Sequence, residues 1–153
     1  MNRIKQKFDL TGKVAIVTGS SKGIGESIAR GFAEYGAKVI ISSRKQDAVD
    51  AVAASFKKDC LEATGIACHV GDESQLKNLV AKTTEIYGGI DILVNNAATN
   101  PVFDKLVEIG PETFDKIMNV NVKACFTLAN LCYLSMLEPV SYTHLTLPTT
   151  PYV

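Results

Sequence analysis

The segment Thr18–Gly25, TGSSKGIG, combines residue types and spacing that bear directly on chemistry. It stands between a short β-branched run, Lys13–Thr18, and a helical pattern from Ile24 to Tyr35, so its three glycines lie where a strand turns into a helix. Gly19 permits the tight turn, Gly23 lets the backbone approach a pyrophosphate, and Gly25 lets helix and strand pack closely. The unpaired N–H groups at the helix start then face the phosphate. The spacing differs from the GxGxxG dinucleotide template, but the strand–turn–helix context that the template requires is present. The competing reading is a glycine turn that holds no ligand.

A second feature bears on which dinucleotide such a turn would hold. An NAD site places a carboxylate on the ribose hydroxyls about 20 residues beyond the glycines, and an NADP site places an arginine there for the extra phosphate. Here that stretch carries Ser43 and Arg44 and no acid. A carboxylate would repel a dianionic phosphate, Arg44 can grip it with two parallel donors, and Lys22 adds a second positive charge. The expectation is NADP(H), against the alternative that Arg44 and Lys22 are solvated surface cations.

Three further groups deserve a role. His69 and Asp72 fall near the end of a third strand. A half-buried histidine with a satisfied hydrogen bond is expected there, and Asp72 either meets an adenine ring or caps the helix that begins near Ser74. Asn95, Asn96 and Ala97 end a fourth strand on the side where ligands sit in open α/β sheets; for Asn96 the expected role is to stitch backbone together. Asn121 is a poor helix former inside a helical pattern, so its amide needs a local reason. Cys60, Cys68, Cys125 and Cys132 show no metal spacing and read as buried free thiols, and no metal site is expected.

The elements that must position these residues alternate. Strands are expected at Lys13–Thr18, Lys38–Ser42, Ile66–Val70 and Ile90–Val94. Helices are expected at Ile24–Tyr35, closed by Gly36, at Gln46–Ala63, closed by Gly65, and at Ser74–Tyr87, closed by Gly88. A loop through Pro101 leads to a last helix from Pro111 to Leu137. This alternation implies an α/β fold, a Rossmann-type doubly wound parallel sheet in the order 3-2-1-4. One domain is expected over residues 1–139. In the last helix, Ile117, Val120, Ala124, Leu128, Leu131 and Leu134 form an apolar stripe expected to lie exposed beside the open edge of the fourth strand.

Sixteen basic and sixteen acidic residues leave no net field for nucleic acid or an anionic membrane. No apolar run reaches the roughly 20 residues of a membrane span, and Met1–Leu10 lacks the apolar centre of a secretory signal. A soluble, cytoplasmic protein acting on a small molecule is expected.

The TGxxxGxG arrangement, together with Ile90–Ala98 (IDILVNNAA) and Asn119–Asn121 (NVN), resembles the short-chain dehydrogenase/reductase family, from about Phe8 to Leu137. Ala98 stands where that family usually has glycine. Within the family, Ser42–Gln46 (SSRKQ), Cys68–Gly71 (CHVG) and GGIDILVNNAA are most similar to the carbonyl-reducing branch called dehydrogenase/reductase member four. The resemblance implies a cofactor set of Gly19, Ser21, Lys22, Gly23, Ile24, Gly25, Ser43, Arg44, His69, Val70, Asn95 and Ala97. It implies Asn121 as an active-site asparagine that bends its helix and holds a water near a catalytic lysine. It also implies an NADP(H)-dependent oxidoreductase acting on a carbonyl or alcohol substrate, the parent a homo-oligomer, tetramer or dimer.

That family supplies its proton through a YxxxK pair and an upstream serine. Tyr142 is followed four residues later by Thr146, and no lysine occurs after Lys123. The serine, tyrosine and lysine partners of Asn121 are therefore absent, and Ser141-Tyr142 is expected to be a decoy. A catalytically silent NADP-binding module, or a non-functional fragment, fits the same residues. Composition shifts abruptly after Pro139, and Val140–Thr149 back-translates into a transposase-end adapter. Residues 140–153 are accordingly expected to be a non-native tail.

Overall fold

A computed structural model describes residues 7–101 and 110–137, so the expected tail lies outside the described residues. Four short strands are built from β-branched and small residues: β1 Val14–Thr18, β2 Lys38–Ser43, β3 Ala63–Ala67 and β4 Ile92–Val94. They form one parallel sheet in the order β3-β2-β1-β4, as expected. Register is even along its length: Val17 pairs with Ile41 on one side and Val94 on the other, and Ile41 pairs with Gly65.

Helices α1 (Gly23–Glu34) and α2 (Gln46–Lys58) cover one face, and α3 (Glu73–Tyr87) and α5 (Ala124–Met136) the other. The pleat divides the strands between two cores. Ala15, Val17, Val39 and Ile41 meet Ala29, Ala33, Val49 and Phe56, while Ile16, Ile40 and Ile66 meet Leu76, Leu79, Leu128 and Cys132. Covering both faces is why β1 and β2 read as unbroken apolar runs rather than as alternation.

Helix α1 closes as expected: Gly36, at φ +96°, lets its own N–H reach Ala33 O and that of Ala37 reach Phe32 O. Helix α2 corrects the expectation. It stops at Lys58, not Ala63, because Cys60 takes the left-handed conformation at φ +59°. The same pair of closing bonds follows, Cys60 N–H to Lys57 O and Leu61 N–H to Phe56 O. β3 therefore begins at Ala63 and ends at Ala67, so His69 and Val70 sit in the loop beyond it. Gly65 is a strand residue and no cap. A Cβ there would lie 2.8 Å from Val49 C, so glycine is what lets α2 press on β3. Gln46, first in α2, covers the outer edge of β3: its amide donates to Gly65 O and accepts from Ala67 N–H.

β4 begins at Ile92 rather than Ile90. Asp91, just before it, is anchored to the start of β1 through Lys13 Nζ (2.9 Å) and Val14 N–H (2.9 Å). The last helix is not continuous: α4 (Pro111–Met118) passes through one π-turn, Asn119–Lys123, into α5. The stripe expected on its surface is largely core. Val120, Ala124 and Leu128 are buried, because this face packs on α3 and the sheet, and of that set Leu134 is exposed. The exposed apolar residues are instead Phe114, Met118, Val122, Phe126, Tyr133, Leu134 and Leu137.

Of the cysteines, Cys68 and Cys132 are buried, Cys125 is half-buried, and Cys60 is exposed, which corrects the expectation of four buried thiols. Burial pushes the Cys68 thiol up to about 11 and the Cys132 thiol up to about 12, from 9.0. Both thiols stay protonated in the folded chain after the unfolded chain has ionised, so they lend stability below pH 9 that is lost as pH rises toward those values. Replacing both with alanine is expected to flatten the fall of the urea midpoint between about pH 9 and 11. An unchanged slope in the double variant would contradict the assignment.

Candidate functional site

All four strands run in parallel, so Thr18, Ser43, Ala67 and Val94 end at one edge of the sheet, and the glycine turn, Arg44, the His69–Asp72 loop and Asn95–Ala97 follow directly from it. The turn after β1 is built around Thr18, which is buried. Its hydroxyl donates to Val94 O (3.2 Å) and accepts from Asn96 N–H (3.0 Å) and Ala97 N–H (3.1 Å). A hydroxyl has one proton and two lone pairs, and here all are used. Asn96 answers from just beyond β4: its amide donates to Thr18 O (2.9 Å) and Gly19 O (3.1 Å), the stitching role expected of it.

Gly19 follows at φ +66°, and a Cβ there would lie 2.9 Å from Ala97 Cα. A Cβ on Gly25 would run into Gly19 O and Asn96 Nδ2, so the first turn of α1 lies directly on this junction. Gly23 differs: at φ +64° it is exposed, and the space a Cβ would take has nothing within 4 Å. Ser21 is half-buried, and Lys22 and Ile24 are exposed at the mouth of the turn, Ile24 by 75%.

Ser20 carries the ladder one step past Thr18. Its N–H donates to Ser42 O, and its hydroxyl accepts from Ser42 N–H (2.9 Å) while donating to Val17 O (2.6 Å). Ser42 Oγ is buried, without a hydrogen-bond partner among the described residues. Ser43 and Arg44 come next, half-buried and exposed respectively. Among the described residues neither Arg44 nor Lys22 takes part in an ion pair.

The helix starts around this edge are not alike. Asp72 caps α3, accepting from Ser74 N–H (2.9 Å), Gln75 N–H (3.2 Å), the Ser74 hydroxyl and the Gln75 amide. These donors, the Ser74 hydroxyl foremost, hold its carboxyl below the usual range. Of the two roles open to Asp72, the structure gives it the cap. Helices α1 and α2 begin at Lys22 and Lys45 with no side-chain cap. Their first N–H groups meet no side-chain cap, although Glu26 and Asp47 stand in the first turns, and exposed cations lie beside them.

The loop after β3 corrects one expectation. His69 is exposed rather than half-buried, although its Nδ1 does accept from Gly71 N–H (3.1 Å). Val70 is half-buried beside it. Asn95 is exposed and Ala97 half-buried beyond β4. Asn121 has the local reason it needed: in the π-turn, its Oδ1 accepts from Thr99 N–H (2.8 Å) and its Nδ2 donates to Thr99 O (2.9 Å). Thr18, Ser20, Thr99 and Asn119 were not singled out from sequence as site residues; only the register that aligns their strands and loops could have flagged them.

A family model described as short chain dehydrogenase matches residues 13–141, most of the chain. The chain belongs to the short-chain dehydrogenase family. It is 50% identical over 121 residues to the Oryctolagus cuniculus dehydrogenase/reductase SDR family member 4, covering 79% of this chain and 46% of that protein. It is 48% identical over 125 residues to tropinone reductase-like 3 of Erythroxylum coca, covering 82% and 48%. The chain thus spans a little under half the length of these relatives. Among solved structures it resembles a metagenomic short-chain oxidoreductase in complex with NADP, at TM-score 0.79 and 31% identity over 84% of this chain and 58% of the other. It also resembles a short-chain type dehydrogenase/reductase from Mycobacterium marinum, at TM-score 0.83 and 34% identity over 88% and 54%. The short-chain dehydrogenase match covers the glycine turn, the β4 end and the π-turn.

The Thr18 hub yields a direct test. Thr18→Val keeps the shape and removes the hydroxyl, leaving the Ala97 N–H without its acceptor while Asn96 N–H keeps Val94 O, a loss of about 1 kcal/mol. Thr18→Ser, which keeps the hydroxyl, is expected to lose clearly less. Equal urea midpoints for the two variants would show that the hydroxyl holds nothing together.

Proposed function

We propose that this chain is the cofactor-binding part of an NADP(H)-dependent oxidoreductase that moves hydride between nicotinamide and a carbonyl or alcohol substrate. One observation carries the reading: the uncapped start of α1, with Gly23 exposed, lies at the same sheet edge as Lys22 and Arg44, which have no ion-pair partner among the described residues. An anion fits such a place, since it would answer both the helix dipole and the two cations. The family membership and the solved relative described with NADP support the same cofactor.

In this reading Gly19, Ser21, Lys22, Gly23, Ile24 and Gly25 hold the pyrophosphate against α1. Ser43 and Arg44 hold the phosphate on the adenosine ribose, where a carboxylate would select against it. His69 and Val70 wall the adenine end, and Asn95 and Ala97 border the other ribose. When bound, the nicotinamide supplies the hydride. Asn121 serves through its place in the π-turn: both ends of its amide are spent on Thr99, so it sets the loop beyond Ala97 against the helix. The parent is expected to be a cytoplasmic homo-oligomer acting on a small molecule.

Titration of purified chain is expected to give NADPH an affinity at least about tenfold above NADH, the worth of one charge-assisted hydrogen bond. Arg44→Asp is expected to reverse that order; equal affinities before and after the change would defeat the assignment.

A second reading, a catalytically silent NADP-binding module, fits the same residues, since residues 1–153 hold no YxxxK pair. Without a proton donor at the carbonyl oxygen, hydride transfer stalls. Residues 1–153 are therefore expected to oxidise NADPH with small aldehydes or ketones no faster than background. Turnover that disappeared in Tyr142→Phe would make the tail tyrosine an acid after all.

A further inference from the structure

Two asparagines of the π-turn grip two different loops. Asn119 Nδ2 donates to Gly71 O (2.9 Å), in the corner between β3 and α3, while Asn121 holds both backbone groups of Thr99, beyond β4. Residues two apart on a helix point to nearly opposite sides, so one turn is held between two segments 28 positions apart in sequence, residues 71 and 99. Both asparagines are half-buried, and the fit at the β3 corner is close: a Cβ on Gly71 would lie 3.0 Å from Asn119 Nδ2 and 3.0 Å from His69 Cε1. His69 in turn accepts from Gly71 N–H, and Asp72 N–H donates to His69 O, so the corner is one hydrogen-bonded unit ending in the α3 cap.

The backbone supplies a reason for the link to be stiff. A π-turn interrupts the regular ladder of a helix by one residue and persists where surrounding contacts hold it. Here the contacts on its two sides are made by Asn119 and Asn121, with Val120 between them buried in the core. Releasing either side removes part of what holds the turn, and with it the position of the other asparagine.

We infer that the π-turn couples the two loops, with Asn119 as a positioning residue whose hold on Gly71 is transmitted to Thr99. Naming the ligand rests on the functional reading above: the β3 corner walls the adenine end and the Thr99 loop follows the segment beside the other ribose. Occupation of the adenine end then orders the far loop before a substrate arrives.

Amide hydrogen exchange on the ligand-free chain tests the coupling without any cofactor. Asn119→Ala is expected to speed exchange of the Thr99 amide about fivefold, the worth of one hydrogen bond, while the amides of Ile40 and Ile41 stay unchanged. Asn121→Ala is expected to do the same to the amides of Gly71 and Asp72. Asn119→Gln, which keeps the amide donor, is expected to recover part of the protection at Thr99. Gly71→Ala strains the same contact from the other side and serves if the asparagine variant does not fold; it too should release Thr99. A Thr99 amide unaffected by Asn119→Ala and Gly71→Ala, with the β3 corner loosened, overturns the proposal.

A second arm uses adenosine 2′,5′-bisphosphate, which has no nicotinamide. It is expected to slow exchange at Thr99 in the unaltered chain and to fail to do so in Asn119→Ala. If the unaltered chain does not bind this probe, the cofactor reading fails, and the ligand-free exchange still decides the coupling.

Discussion

Everything at the working edge of this sheet depends on how closely three backbones can meet at the end of β1. The strand end, the first turn of α1 and the segment after β4 converge where a single added methyl group, on Gly19 or Gly25, would collide with main chain. At such spacing there is no room for water, so the polar groups must satisfy one another. Thr18 and Asn96 do so, the hydroxyl from one side and the amide Nδ2 from the other. The turn that faces outward at Gly23 is held in shape from beneath by this junction.

The distribution of caps follows a consistent electrostatic logic. Helix α3 has an aspartate, Asp72, to satisfy its first N–H groups. Helices α1 and α2 begin on lysines and offer bare N–H groups. Leaving a helix start uncapped costs stability unless something else answers it. In the proposed reading, the two uncapped starts at one edge, next to cations in no ion pair among the described residues, are where the cofactor's negative charge would sit.

The element order, the parallel 3-2-1-4 sheet and the segments at its edge were legible in sequence, because apolar runs, glycine turns and spacing are local signals. What was not legible has local causes too. Helix α2 closes with the same two hydrogen bonds as α1, but on Cys60 instead of a glycine, so a reading that waits for glycine overruns to Gly65 and displaces β3. Gly65 then carries a different message, the close passage of α2, which depends on a neighbour distant in sequence. The apolar stripe of the last helix gave the period and the face but not its cover: packing on α3 and the sheet buries Val120, Ala124 and Leu128 instead of leaving them exposed. The hold of Asn119 on Gly71 depends on the π-turn, which no propensity announces.

The sheet order also sets the order in which the chain assembles. β1 finds β2 early: Ser20 and Ser42 are separated by 22 positions, whereas Thr18 and Asn96 are separated by 78. Closing the longer loop costs about 1 kcal/mol more chain entropy, and it cannot begin until β4 has been made. On a ribosome adding roughly 5 to 20 residues each second, that leaves a few seconds with β1–β2 pairing under way and the other edge of β1 bare. During that interval the most deeply buried strand of the finished sheet, Val14–Thr18, offers open N–H and C=O groups to any neighbouring chain. The central position that lets β1 organise the finished edge also makes it the strand in greatest need of protection during synthesis.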